Sequence, residues 1–287
     1  MRIIAALIQS NIYISLAAVA LTVGTQVQLG MRPQWHPYLF IIFFATLFEY
    51  NLHRLITVLT NKEALKSEKH RWVNENMKAF YLLVFISVIG FGVVALLAKK
   101  EVLVTFAPIA LITVLYSIPV SANPKHLLRL REIPYLKIFM IAAIWSASTI
   151  LLPIVQSSET FSQTHIFAML SERFFFILAI TIPFDIRDLE ADQQQELKTI
   201  PMLLGEKNSL KLSYFFLFVF LLGSAFHYAP EKEWMILWAM CLSGITTYFF
   251  LKMDYFKRML FYHYGILDGT LLLQGILVII FGCFACT

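Results

Sequence analysis

AFYLLVFISVIGFGVVALLA, residues 79–98, decides what kind of fold this chain adopts. None of these residues is charged, and at about 1.5 Å per residue a helix of this length crosses the roughly 30 Å of a bilayer's hydrocarbon. In lipid, every backbone amide has to be satisfied without water, which leaves helices or a closed barrel. A continuously apolar run of this length selects the helix.

The rest of the chain repeats the pattern. Of 287 residues, 59% are apolar and 14% charged, with a mean hydropathy of +0.72; soluble domains run at about 45–50% and about 25%. Apolar runs bounded by charges or by Pro, Gly and Asn predict nine spans, near residues 11–29, 37–59, 79–98, 102–120, 134–155, 170–190, 210–228, 233–251 and 265–285. No soluble domain fits between them, so residues 1–287 are read as one all-α, polytopic membrane domain. The opening MRIIAALIQS lacks the small-residue cleavage site of a secretory signal and is expected to be retained. Cys241, Cys283 and Cys286 have neither metal-ligand spacing nor a disulfide framework and read as packing residues.

Orientation follows from the short loops. With the N-terminus in the cytoplasm and the C-terminus outside, the inner side carries seventeen of the 23 Lys and Arg, mostly in loops 60–78, 121–133, 191–209 and 252–264. Outside fall only Arg32, Lys99, Lys100, Arg173 and Lys232, with Arg54 near a helix end. The expected setting is the cell inner membrane. The net charge of +5 then reflects topology and anionic headgroups rather than a nucleic-acid partner. Neither an internal repeat nor a matched pair of broken helices of the transporter kind is present.

The sharpest local feature is IPFDIRDLEAD, residues 182–192. At 100° per residue, Asp185, Asp188 and Asp192 share an arc of about 60° on one helix face. Three carboxylates there repel one another and, at a helix C-terminus, oppose the macrodipole. A divalent cation relieves both: Mg2+ takes oxygen ligands, commonly one or two carboxylates completed by water and phosphates. The alternative is a solvated acidic loop paired with Arg187 and Lys198.

The segment DIRDLEADQQQELKTIPMLLG, residues 185–205, resembles the second aspartate-rich motif of the UbiA-type prenyltransferases, in which D/N-x-x-D-x-x-x-D precedes a basic residue, Thr and an apolar run ending in Gly. Those places are held by Asp185, Asp188, Asp192, Lys198, Thr199 and Gly205. LYSIPVSANPKHLLRLREIPYLK, residues 115–137, is similar to that family's loop after the fourth span, with Tyr116, Ser117 and Pro119 followed by Lys125, Arg129, Arg131 and Lys137. The resemblance implies nine helices around a central cavity, with Mg2+ and a prenyl diphosphate at its cytoplasmic mouth. It further implies transfer of the isoprenoid chain to a lipophilic acceptor. Asp185, Asp188 and Asp192 would be the catalytic metal ligands; Lys198, Lys125, Arg129, Arg131 and Tyr116 would contact the substrate.

One departure stands out. The family's first motif, close to N-D-x-x-D-x-x-x-D, belongs in FEYNLHRLITVL, residues 48–59, yet with Asn51 leading, Leu55 and Leu59 stand where aspartates belong. Glu49 is left as a metal ligand, with Asn51 and His53 as further contacts, although Glu49 and His53 at i,i+4 also make an ordinary helix pair. Arg54 either snorkels to headgroups or meets the diphosphate directly. The loss keeps three other readings open: a membrane terpene cyclase on the same scaffold, a silent lipid-binding homologue, and a transporter using Glu49 or Asp268.

Overall fold

A computed structural model describes residues 2–60, 68–117, 130, 133–194 and 197–285. Among these, all regular structure is helical: α1 (Arg2–Gln9), α2 (Ile12–Gln28), α3 (Pro37–Thr60), α4 (Glu68–Glu75), α5 (Met77–Leu97), α6 (Lys100–Ser117), α7 (Leu136–Ser157), α8 (Gln163–Arg187), α9 (Leu189–Gln194), α10 (Ile200–Tyr228), α11 (Trp234–Lys252), α12 (Asp254–Lys257) and α13 (Asp268–Ala285), with a π-helical turn at Tyr262–Leu267 leading into α13. Eight helices among the described residues are long and apolar enough to cross a membrane. The α1–α2 pair, bent by 77°, makes a ninth if taken as one span. The bend sits at Asn11, whose left-handed backbone (φ 65°) turns the chain between the two pieces.

The predicted spans each find a helix, but two boundaries move. α8 starts at Gln163 rather than 170, and α10 at Ile200 rather than 210. Arg173, counted among the outer charges, and Glu172 are buried inside the bundle, 3% and 2% exposed, which removes Arg173 from the outer count. The second shift adds a turn before Gly205, whose φ of 73° and ψ of 161° break the helix there, a backbone state open chiefly to glycine.

The long helices pack on one another in a ring, α2 on α3, α3 on α6, α6 on α7, α7 on α8, α8 on α10, α10 on α11, α11 on α13 and α13 back on α2, with α5 laid against the outside of α3. In lipid no hydrophobic force drives helices together, so close approach of small residues and polar links must do it. The α2–α13 seam shows the first: Gly24 faces Gly275, and a methyl on Gly275 would run into the backbone of Ala20. α8 shows the second: Pro183 has no N–H for the carbonyl of Ala179, and Ser213 of α10 donates its hydroxyl to that carbonyl instead. α5 turns Tyr81, Phe85, Ile89, Val93 and Leu96 outward, which suits hydrocarbon.

Between α3, α5, α6 and α7 lies a cavity of about 320 Å³ walled by Phe44, Phe48, Phe91, Phe106 and Trp145. Glu49 is the one carboxylate on its lining.

Candidate active site

α8 ends at Arg187, and the N–H of Asp188 closes its last turn on the carbonyl of Phe184 at 3.0 Å. The chain continues into α9, where the Asp192 N–H bonds the carbonyl of Asp188 at 2.8 Å. The break splits the acidic trio. Asp185 and Asp192 are each 3% exposed and converge on a single ammonium, Lys137 Nζ, at 2.8 and 3.4 Å. Asp188 turns to its neighbour, accepting Nε and Nη2 of Arg187, both at 2.7 Å. Burial pushes the Asp188 carboxyl up, but the hydrogen bonds and charge of Arg187 outweigh it and hold the group below the ordinary carboxylate range.

Lys137 opens α7, and its placement is local in origin. The Tyr135 N–H donates to the carbonyl of Lys198 at 2.9 Å and the Leu197 N–H to that of Asp192 at 3.0 Å, stitching the start of α7 to the segment leaving α9. Lys198 itself is exposed. Next to it, Thr199 is 4% exposed, and its hydroxyl has no partner among the described residues. Tyr116 is half-buried at the end of α6, beside Ser117, whose hydroxyl reaches Glu49 on the cavity lining.

On α3 the four residues singled out from the sequence do different things. Glu49 accepts the hydroxyl of Ser117 and faces the cavity. Asn51, fully buried, donates to the carbonyls of Ser10 at 3.1 Å and Leu47 at 2.8 Å and accepts from Asn11 at 2.9 Å, so its polar atoms strap α3 to the α1–α2 bend. His53 is half-buried, its carbonyl taken by Thr57. Arg54 does not snorkel: it is 7% exposed, donates to the carbonyl of Gln9 at 3.0 Å and stands 5.4 Å from the centre of the Tyr264 ring. Lys125, Arg129 and Arg131 lie outside the described residues.

Three participants were not read from the sequence as part of a prenyl diphosphate site, Asp268 having been named only for a transporter. Lys137 read only as one basic loop charge among several. The other two lie in and just after the π-helical turn, in which the Ile266 N–H reaches back to the carbonyl of Phe261 at 3.2 Å; such turns recur at functional sites. It presents Tyr264 to Arg187, 4.6 Å from the ring centre, as well as to Arg54. Asp268, beginning α13, is 9% exposed and acts electrostatically on both guanidiniums.

Among the described residues, no three His, Cys, Asp or Glu side chains gather as a metal cage. Two carboxylates do converge, and hard oxygen donors in that number suit Mg2+, which usually leaves its remaining positions to water and phosphate oxygens. The donor set therefore fits.

The family model described as the UbiA prenyltransferase family matches residues 64–259. No curated protein matches in sequence. Among solved structures, the apo form of a UbiA homolog from Aeropyrum pernix K1 is similar with a TM-score of 0.66 at 12% identity, covering 96% of this chain and 98% of that one. A UbiA homolog from Archaeoglobus fulgidus bound to GPP and Mg2+ follows with a TM-score of 0.62 at 14% identity, covering 95% and 98%. A digeranylgeranylglyceryl phosphate synthase has a TM-score of 0.55 at 14% identity, covering 96% and 98%.

Proposed function

The chain belongs to the UbiA prenyltransferase family, and from that premise we propose that it is a Mg2+-dependent integral-membrane enzyme moving an isoprenoid chain from a prenyl diphosphate to an aromatic or other lipophilic acceptor. The observation that carries this reading is the pair Asp185 and Asp192, buried and convergent on Lys137, in a bundle that also encloses an apolar, aromatic-walled cavity.

The side chains divide the work. Asp185 and Asp192 would hold the Mg2+, which when bound draws off the negative charge that develops on a departing diphosphate. Lys137 and Arg187, already at the site, offer N–H donors to phosphate oxygens; Lys198 and the loop residues Lys125, Arg129 and Arg131 would add to them. The rings of Phe44, Phe48, Phe91 and Trp145 would keep water from the allylic carbon and lend their faces to its positive charge. Glu49, on the cavity wall, would serve there as a base rather than as a metal ligand. The proposed topology puts the N-terminus and the acidic end in the cytoplasm and treats the whole chain as one domain. It draws support from the few basic residues left outside, Arg32, Lys99, Lys100 and Lys232, once Arg173 is counted as buried.

The test is Asp185→Asn combined with Asp192→Asn in lipid nanodiscs, scoring pyrophosphate release from geranylgeranyl diphosphate. A loss of about 100-fold or more with the fold retained is expected. A double variant as active as wild type, or a wild-type rate indifferent to Mg2+, overturns the reading. Release and cyclised product from donor alone would move the assignment to a terpene cyclase.

A further inference from the structure

We infer that Gly90, standing behind the Phe44 ring, sets the depth of the aromatic cavity and with it the length of prenyl chain the protein prefers, farnesyl diphosphate being the donor that fits. The inference rests on the proposed reading, in which an isoprenoid chain runs from a diphosphate at the acidic end of α8 into that cavity, and adds a positioning residue and a donor length to it.

The cavity has two unlike ends. α3 lines it from Ile42 to Tyr50, and toward the Tyr50 end stands Glu49, held by the hydroxyl of Ser117. Rings gather toward the other. Phe44 of α3 lines the wall there with Phe91 of α5 and Phe106 of α6, the last two with centres 5.9 Å apart.

α3 itself supplies a ruler. Arg54 shares the Tyr264 ring with Arg187, the partner of Asp188, so this point of α3 stands level with the acidic end of α8. From position 54 back to 44 is ten residues of helix, a rise of about 15 Å. An isoprene unit adds four main-chain bonds of about 1.5 Å each, roughly 5 Å when extended. About three units therefore reach from the acids to Phe44.

What lets the ring lie where it does is a missing side chain. A Cβ on Gly90 of α5 would sit 2.5 Å from Phe44 Cζ and 2.6 and 2.7 Å from its Cε atoms, whereas carbons rest at about 3.5–4.0 Å. Glycine inside a helix is unfavourable, and Gly90 is not among the glycines of positive φ, so neither propensity nor backbone geometry selects it. Small residues also let helices approach closely in lipid, but the atoms met here are the tip of a ring, not the backbone of α3. Any larger residue at 90 must push that tip aside. Phe43 stands edge-on to the ring, 5.3 Å between centres, and the free space is the cavity. The ring moves into it, and the cavity shortens.

The experiment uses the full-length protein in nanodiscs, with geranyl, farnesyl and geranylgeranyl diphosphates in competition and kcat/KM for pyrophosphate release as the readout. A farnesyl diphosphate carrying a diazirine on its terminal unit marks, on illumination, the wall that unit reaches. Wild type is expected to prefer farnesyl and to take the label at Phe44, Phe91 or Phe106. Gly90→Ala should lower farnesyl relative to geranyl about ten-fold, the scale of one methylene in a tight apolar pocket. Phe44→Leu should raise geranylgeranyl relative to farnesyl, and combining the two substitutions should bring the preference back toward wild type. A merely structural role for Gly90 would lower all three donors alike, which overturns the inference. So do donor ratios unchanged in both single variants, a wild type that prefers geranylgeranyl, or label confined to α8, α10, α11 and α13; Mg2+-dependent release in any of these cases leaves the enzyme reading standing. Should Gly90→Ala fail to fold, Phe44→Leu and the label decide. A wild type that releases no pyrophosphate ends the enzyme reading, and the inference then stands or falls by where the label lands.

Discussion

α8 buries one acid in its first half and another two residues from its last, and these two parts, the far end and the near end, treat it in opposite ways. At the far end Glu172 meets an excess of basic groups. Its Oε1 lies 2.7 Å from His227 Nδ1, His227 Nε2 lies 2.8 Å from His165 Nδ1, and Arg173 follows in sequence. Arg173 in turn reaches the Leu21 carbonyl, Thr149, Thr25 and Gln28. At the near end Asp185 and Asp192 share one ammonium. Ionisable groups inside a membrane are costly and functional by default. A far end so tied to other helices nonetheless reads as a fastener joining α2, α7, α8 and α10, whereas the near end gathers carboxylate oxygens around Lys137 as a ligand site would.

Arg173→Met tests that contrast most severely. Removing one partner of a buried charged network leaves the others uncompensated, which costs about 3–5 kcal/mol. A large drop in thermal midpoint is expected, with turnover per folded molecule unchanged. If the midpoint holds, the far end is not a fastener.

Asp192→Asn should do the reverse. With Lys137 left to serve Asp185 alone, stability should change by no more than about 1 kcal/mol. Pyrophosphate release should nonetheless fall about 100-fold, equivalent to roughly 2.7 kcal/mol in the barrier. Equal losses in stability and turnover would erase the distinction between the ends. A smaller effect is expected of Tyr264→Leu, which takes the ring from beneath Arg54 and Arg187. Desolvated cation–π contacts are worth about 1–2 kcal/mol, so the midpoint should fall modestly and the Michaelis constant for the donor rise, with little change in kcat. A fall in kcat alone would mean that the ring acts on the reaction rather than on the guanidiniums.

The near end was largely legible in the sequence and the far end was not, for a physical reason. The spacing of Asp185, Asp188 and Asp192 is local, and a helix projects it onto one face whatever surrounds it. Arg173 counts among the outer charges in the sequence, because hydropathy sets a charge against a span, and nothing local singles out Glu172. What buries them are Gln28, Thr25, Thr149 and His227, far away in the chain. The same limit applies within the near end. Periodicity put Asp188 with its companions, but the helix stops at Arg187, and the adjacent guanidinium claims it. Lys137, forty-eight positions before Asp185, meets the acids only through the packing of α7 on α8. The emptiness of the first motif was plain from Leu55 and Leu59, whereas the cations that accompany it needed coordinates.

The finest discrimination between the ends is their response to pH. Asp188, near α8's acidic end, has a folded pKa held below its ordinary 3.8; burial raises it, but the hydrogen bonds and charge of Arg187 prevail. A depressed acid contributes stability that is fully present above the ordinary value and disappears as pH falls through the folded one. Glu233, at the turn entering α11 on the far side, is shifted the other way. Burial raises it above its ordinary 4.5 against the opposing pull of His227, and its Oε2 has no partner among the described residues. Its protonated form is the one the fold prefers, so its contribution is present below 4.5 and is lost as pH rises through the raised value. Acidification should therefore weaken the near end and tighten the far end. Both groups are partly exposed, and each effect should stay well under about 1 kcal/mol. Thermal midpoints recorded from neutral to acid pH should show Asp188→Asn losing the low-pH decline and Glu233→Gln losing the opposing gain. If both substitutions shift the profile in the same direction, the two ends are not electrostatic opposites.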